Sequence, residues 1–178
     1  MKRSDARQWF LPVIFTVALA SQGNSDPEPQ PQMDFTQGLQ GTFNADWEGI
    51  AARTYFMQFS TNLVDWHFAP FIDFGDGEHN RGIESDSDKF FLRLYYGDFP
   101  GINSLDDAMN ADFDGDGLSN IFEVTHGYHP FDIESTAGGP DASHDPDADG
   151  LGNATEQASG TNPMNKDNTL LQLEVIVD

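Results

Sequence analysis

Acidic side chains in the second half of the chain recur with a fixed spacing. The run "DFDGDGLSNIFE" (Asp112 to Glu123) has carboxylates at positions one, three, five and twelve, a glycine at six and an asparagine at nine. The run "DPDADGLGNATE" (Asp145 to Glu156) repeats that pattern 33 residues later. The tails "VTHGYHPFD" and "QASGTNPMN" continue the likeness, so that both copies read D-x-D-x-D-G-L-x-N-x-x-E-x-x-x-G-x-x-P-x-[DN]. Agreement at this many positions marks a duplicated structural unit. Carboxylates at alternate positions converge only if the backbone curls, which Gly117 and Gly150 at position six permit. The natural object of such convergence is a hard cation.

Calcium takes about six to eight oxygens at roughly 2.3–2.6 Å in a flexible shell, whereas magnesium prefers a rigid octahedron with retained water. Asp112, Asp114 and Asp116 supply side-chain oxygens in the first loop, and Asp145, Asp147 and Asp149 in the second. Leu118 and Leu151, at position seven, offer backbone carbonyls. Asn120 and Asn153, at nine, contribute an amide oxygen or hold a water. Glu123 and Glu156, at twelve, can bind with both oxygens from the first turn of a following helix. Each loop holds four carboxylates and no basic residue. Their mutual repulsion opposes a compact loop, so metal binding and folding of this half should be coupled.

An EF-hand needs an apolar residue at position eight and a helix before the loop. Here position eight is Ser119 or Gly152, only the short "LDDAMN" precedes the first loop, and "TAGGPDASH" before the second is a glycine-proline loop. The pattern D-x-D-x-D-G-L-S-N-x-x-E followed by G-T-[DN]-P resembles the bacterial version of the thrombospondin type 3 repeat, and is related to the dockerin loop. The resemblance covers roughly residues 111–167. It implies repeats that wrap calcium with little regular structure and serve as a spacer or stalk. The first tail departs from it, with "GYHP" in place of "GTNP".

The elements around the loops follow from composition. The chain has 178 residues and a formal charge of −22, which argues against nucleic acid or an anionic membrane surface as partner. It contains no cysteine, so disulfides, zinc-thiolate sites and cysteine nucleophiles are excluded. Residues 1–20 read as an export signal: Lys2, Arg3 and Arg7 precede an apolar run from Trp9 to Ala20 that ends in Ala18-Leu19-Ala20. The mature chain then begins at Ser21 and is secreted, extracellular or lodged in the cell envelope, with no membrane insertion. Residues 21–32 form a proline-rich linker.

Residues 33–98 turn aromatic and β-prone, which predicts a mainly β fold: a small antiparallel sheet or half-sandwich of four to five strands. Gly41–Ile50 is the expected first strand, followed by Arg53–Ser60, Trp66–Phe74 and Lys89–Tyr96. Pro70 puts the third of these at an edge. "GDGEHNRG" (Gly75 to Gly82) reads as a turn-rich loop. Residues 99–168 carry the two calcium repeats in an irregular segment with short helices, Ser104 capping "LDDAMN". Residues 169–178 form a C-terminal strand. The β unit is similar to a module of secreted proteins from Planctomycetes- and Verrucomicrobia-type bacteria, on Thr54-Tyr55, Ser60-Thr61-Asn62-Leu63, Trp66 and "FFLRL" at Phe90 to Leu94; Ala52 replaces the usual glycine.

No nucleophile elbow, phosphate-binding loop or catalytic triad order stands out, so the chain is expected not to be an enzyme. His126 and His129 could share a helical face and bind zinc or copper, with His144 as third ligand, but they read more simply as surface residues of the repeat tail. Trp47, Trp66, Phe71, Phe74, Tyr95 and Tyr96 could form a sugar-stacking face, but Trp47, Tyr55, Trp66, Phe90 and Leu92 are better explained as core, because a domain this small needs large side chains to bury enough area. The expectation is a secreted calcium-binding protein whose repeats act as a structural spacer or interaction element. Its partners are calcium ions and a cell-surface protein or glycan. The alternative is a carbohydrate-binding accessory module in which calcium is only structural.

Overall fold

The structure, a computed structural model, describes residues 14–18, 31–37, 42–84 and 89–166. Most of the expected leader, the linker up to residue 30 and the C-terminal strand at 169–178 lie outside the described residues. The chain forms two compact units, Met1–Ala108 and Met109–Asp178.

In the first unit, β2 (Met33–Gln37), β3 (Thr42–Gly49) and β6 (Gly77–Glu84) make one antiparallel sheet in the order β2-β3-β6. In the other sheet, β5 (His67–Phe74), β4 (Thr54–Ser60) and β7 (Phe91–Gly97) pair antiparallel, and β1 (Ile14–Ala18) adds in parallel beyond β7. Side chains alternate across each strand with a period of two. That period turns Phe43, Ala45 and Trp47 of β3 inward, and likewise Leu92, Leu94 and Tyr96 of β7. With Tyr55 and Met57 of β4 and Met33 of β2, the two sheets share one apolar cluster. The mainly β class is as the composition predicts, and the architecture is a two-layer one. β4 is central to its sheet and buried along nearly its whole length. β5, with Pro70, is at the edge.

Two strands depart from expectation. β2 precedes the strand expected to be first. The segment Gly75 to Gly82, expected as a loop, is mostly strand: only its first two residues lie outside β6, which runs against β3 in continuous register from Gly49↔Gly77 to Thr42↔Glu84. The turn uses Gly75 (φ 85°) and Gly77 (φ 104°), conformations that favour glycine. Beyond it the residues are polar because β6 is an edge strand whose side chains are largely exposed. What fixes it is the ladder to β3, with His79 stacked on Trp47 (ring centroids 5.2 Å apart) and Arg81 paired with the buried Asp73.

The aromatics proposed as a sugar face do not form one open platform. Trp47 and Tyr96 are buried, Arg93 covers Trp66 at 4.1 Å from its ring centre, and Arg81 covers Phe71 at 4.8 Å. No helix among the described residues is long and apolar enough to cross a membrane.

The short helices are α1 (Leu105–Asn110), α2 (Asn120–His126) and α3 (Asn153–Ser159), with a 3₁₀ turn at Asp141–Ser143. Ser104 Oγ accepts the Asp107 N–H at 3.0 Å at the start of α1. α2 and α3 each end on a left-handed glycine, Gly127 (φ 84°) and Gly160 (φ 71°), which terminates a helix at no Cβ cost. These are the two glycines shared by the repeat tails.

Candidate metal centre

Each acidic loop is curled by its own carboxylates. Asp112 accepts the Gly115 N–H at 2.6 Å on one oxygen and the Gly117 N–H at 2.9 Å on the other. Asp114 accepts from Asp116 N–H at 3.2 Å, and Asp116 from Leu118 N–H at 2.8 Å. The second loop follows the scheme with one change, the first aspartate accepting from position five instead of four: Asp145 takes the Asp149 and Gly150 N–H groups at 3.2 and 3.0 Å, Asp147 takes Asp149 N–H at 3.1 Å, and Asp149 takes Leu151 N–H at 2.8 Å. Such Asx turns fix the backbone arc. At position four Gly115 (φ 84°) is matched by Ala148 (φ 60°), so the second loop holds a left-handed non-glycine residue. Both loops close identically at position nine, where Asn120 N–H donates to Ala111 O (2.8 Å) and Asn153 N–H to His144 O (3.0 Å).

This curl brings Asp112, Asp114 and Asp116 together, with one carboxylate oxygen from each lying within 4.8 Å of the others. Asp145, Asp147 and Asp149 meet the same condition. Closure at position nine starts α2 and α3, and their first turns carry Glu123 and Glu156 inward to 0 % exposure. Neither oxygen of Glu123 has a hydrogen-bond partner among the described residues, and neither does Oε2 of Glu156. The same holds for Oδ2 of Asp114, Asp147 and Asp149.

Electrostatics report the crowding. Burial first, then the charges of Asp114, Asp116 and Asp112, push the Glu123 carboxyl from an ordinary 4.5 up to about 9. Glu156 is raised by burial and by Asp147 and Asp149. Asp114 and Asp147 are raised too, by desolvation and then by their loop neighbours. A buried ionised carboxylate without a hydrogen bond or counter-charge costs several kcal/mol. The orphaned oxygens of Asp114 and Glu123 in the first loop, and of Asp147, Asp149 and Glu156 in the second, therefore fit a multivalent oxygen-seeking cation in each loop, and both donor sets are all-oxygen, as calcium requires.

The remaining expected ligands sit as follows. Leu118 is fully buried and Leu151 half-buried, each next to its position-six glycine. Asn120 Oδ1 accepts the Phe113 N–H at 3.2 Å and so braces the loop. Asn153 Nδ2 donates to Asp141 O at 2.7 Å, while its buried Oδ1 has no hydrogen-bond partner among the described residues. The histidines do not assemble a site. α2 ends at His126, whose Nδ1 lies 2.8 Å from Phe122 O, and His129 follows the Gly127 cap, so the two share no helical face. His144 Nδ1 lies 2.8 Å from the Tyr128 hydroxyl.

Two residues went unmarked in the sequence. Asp141 is fully buried and accepts both the N–H and the hydroxyl of Ser135 and of Thr136. It is satisfied by these bonds and ties the segment between the loops. Its only sequence signal is an acidic residue after Gly138-Gly139-Pro140, with Ser-Thr a few positions before. Gln157, directly after Glu156, bonds to the first loop; nothing in its type or position announces this.

Residues 112–127 and 145–166 match the family model of the bacterial TSP3 repeat. The matched segments hold both acidic loops, α2 and α3 with their glycine caps, and the second tail. Comparison with curated proteins and with solved structures found no match.

Proposed function

We propose that this chain is a secreted, non-enzymatic calcium-binding protein in which a small β unit is followed along the chain by two TSP3-type repeats that form a calcium-stabilised spacer or interaction element. The observation that carries the reading is Glu123: a carboxylate with no exposed surface, no hydrogen-bond partner among the described residues, and the charges of Asp112, Asp114, Asp116 and Asp141 around it. Calcium neutralises that charge and satisfies those oxygens at once. Export is supported by the leader-like composition of residues 1–20, and the absence of catalysis by the commitment of the best-arranged carboxylates to the two loops. A cell-surface protein or glycan remains the partner class the acidic, repeat-bearing chain suits.

Calorimetric titration of the full chain with calcium should reveal two sites, with affinities around 10⁻⁴–10⁻³ M or tighter given the charge. The absence of both a binding heat and a change in protease resistance at millimolar calcium would overturn the reading.

A further inference from the structure

The two loops are not independent neighbours, because a side chain of the second repeat is built into the backbone of the first. Gln157 Oε1 accepts the Ser119 N–H at 2.8 Å and the Ser119 hydroxyl at 2.9 Å. Its Nε2 donates to the Gly117 carbonyl at 3.1 Å. The amide thus clasps the residues on either side of Leu118, whose carbonyl belongs to the ligand set proposed for site one. Gln157 is also the immediate neighbour of Glu156, the position-twelve carboxylate of site two, in the same short helix.

A second link runs alongside. The Ala142 N–H donates to Asp116 Oδ2 at 3.1 Å, and the adjacent Asp141 carbonyl accepts from Asn153 Nδ2 at 2.7 Å. Asp116 is at position five of the first loop and Asn153 at position nine of the second. No reverse clasp forms among the described residues: the first-repeat counterpart of Gln157 is Val124, a buried residue whose apolar side chain offers no hydrogen bond.

We infer that Gln157 is a positioning residue that couples the two sites, so that filling site two pre-organises site one. The inference rests on the calcium reading above. Without a cation, the four carboxylates of the second loop repel one another and oppose the arrangement that holds Glu156 inward. Neutralising them fixes α3, and α3 carries the amide that holds Gly117 and Ser119 in place. Site one then binds without itself bearing the cost of ordering that arc. By linkage the coupling is reciprocal, although the contact that transmits it is contributed by one repeat only.

A double-mutant cycle read by calorimetry on the full chain tests this. Glu156→Gln should abolish one site and weaken the remaining one about fivefold or more, the lower end of ordinary coupling. Gln157→Met keeps the side chain's bulk and removes its hydrogen bonds. It should retain two sites, with site one weakened by a similar factor, and adding Glu156→Gln should then change site one by less than about twofold. Gln157→Asn, which withdraws the amide by one methylene, serves if the methionine variant does not reach the wild-type circular dichroism in saturating calcium. An undiminished site one in Glu156→Gln, or the same loss whether or not Gln157 is intact, overturns the coupling. Two independent sites would defeat this inference alone; no calcium heat in the wild type would defeat the calcium reading beneath it.

Discussion

Glu123 has two ways to exist in its buried position: neutral, or bound to a cation. Its folded pKa of about 9 lies above the ordinary 4.5, so the unliganded repeat holds a proton there at neutral pH. A raised folded pKa means that the native state binds the proton more tightly than the unfolded chain. Its stabilising effect is complete below about pH 4.5 and is lost as pH rises toward 9. In chelator, the melting temperature of the repeats should therefore fall across that window, and calcium should flatten the slope. Calcium binding at pH 7 should also release protons, visible as a binding heat that changes with the ionisation enthalpy of the buffer. A heat at site one that is identical in all buffers would contradict the burial of Glu123. Substitution separates ligand from bystander: Glu123→Gln should weaken site one at least about tenfold, ~1.4 kcal/mol, whereas Asp106→Asn, exposed in α1, should leave it within the error of titration. Equal losses would refute the ligand assignment.

Elements were legible where burial imposed a pattern. The alternation in "TFNADWEG" and "FLRLYYG" gives β3 and β7 because one face of each meets the core. The D-x-D-x-D-G spacing gives the loops because metal chemistry dictates it residue by residue. β6 was hidden because an edge strand with solvent on its outer side needs no apolar period, and its glycines look like turn residues. Gln157 was hidden for a related reason: its role is set by what lies 38 to 40 residues away, and a glutamine in a short helix has no local signature. Two glycines test the β6 placement. A Cβ at Gly49 would overlap the Gly75 carbonyl and lie 2.5 Å from His79 Nε2, whereas one at Gly82 would come no nearer than 3.7 Å to Asn44 Oδ1. Gly49→Ala should cost ~1–3 kcal/mol in denaturant unfolding, as overpacking does. Gly82→Ala should stay within about 0.5 kcal/mol. Equal costs would mean that β6 does not lie against β3 in this register.

At the scale of the molecule, the two units are held together internally by different forces. The first unit has an aromatic and aliphatic interior, and neither acidic triad lies in it. In the second, the buried apolar side chains Leu118, Val124 and Tyr128, with Pro130 and Pro163, share the interior with Asn120, Glu123, Asp141, Asn153 and Glu156. Such an interior gains little from burial and loses much if its carboxylates stay uncompensated. The consequence is a division of calcium dependence along the chain. Chelation should open residues 111–167 to limited proteolysis while a fragment containing residues 33–98 survives, and millimolar calcium should protect both. The leader adds one refinement. Ile14–Ala18 lies parallel to β7 in the expected export signal, so cleavage after Ala20 would remove β1 and leave β7 paired with β4 alone. That pairing spans Thr54↔Gly97 to Ser60↔Phe91, so the fragment from a chain starting at Ser21 should survive as well. Loss of the β fragment on chelation, or its loss on removing residues 1–20, would locate the chain's stability elsewhere than in these two separate interiors.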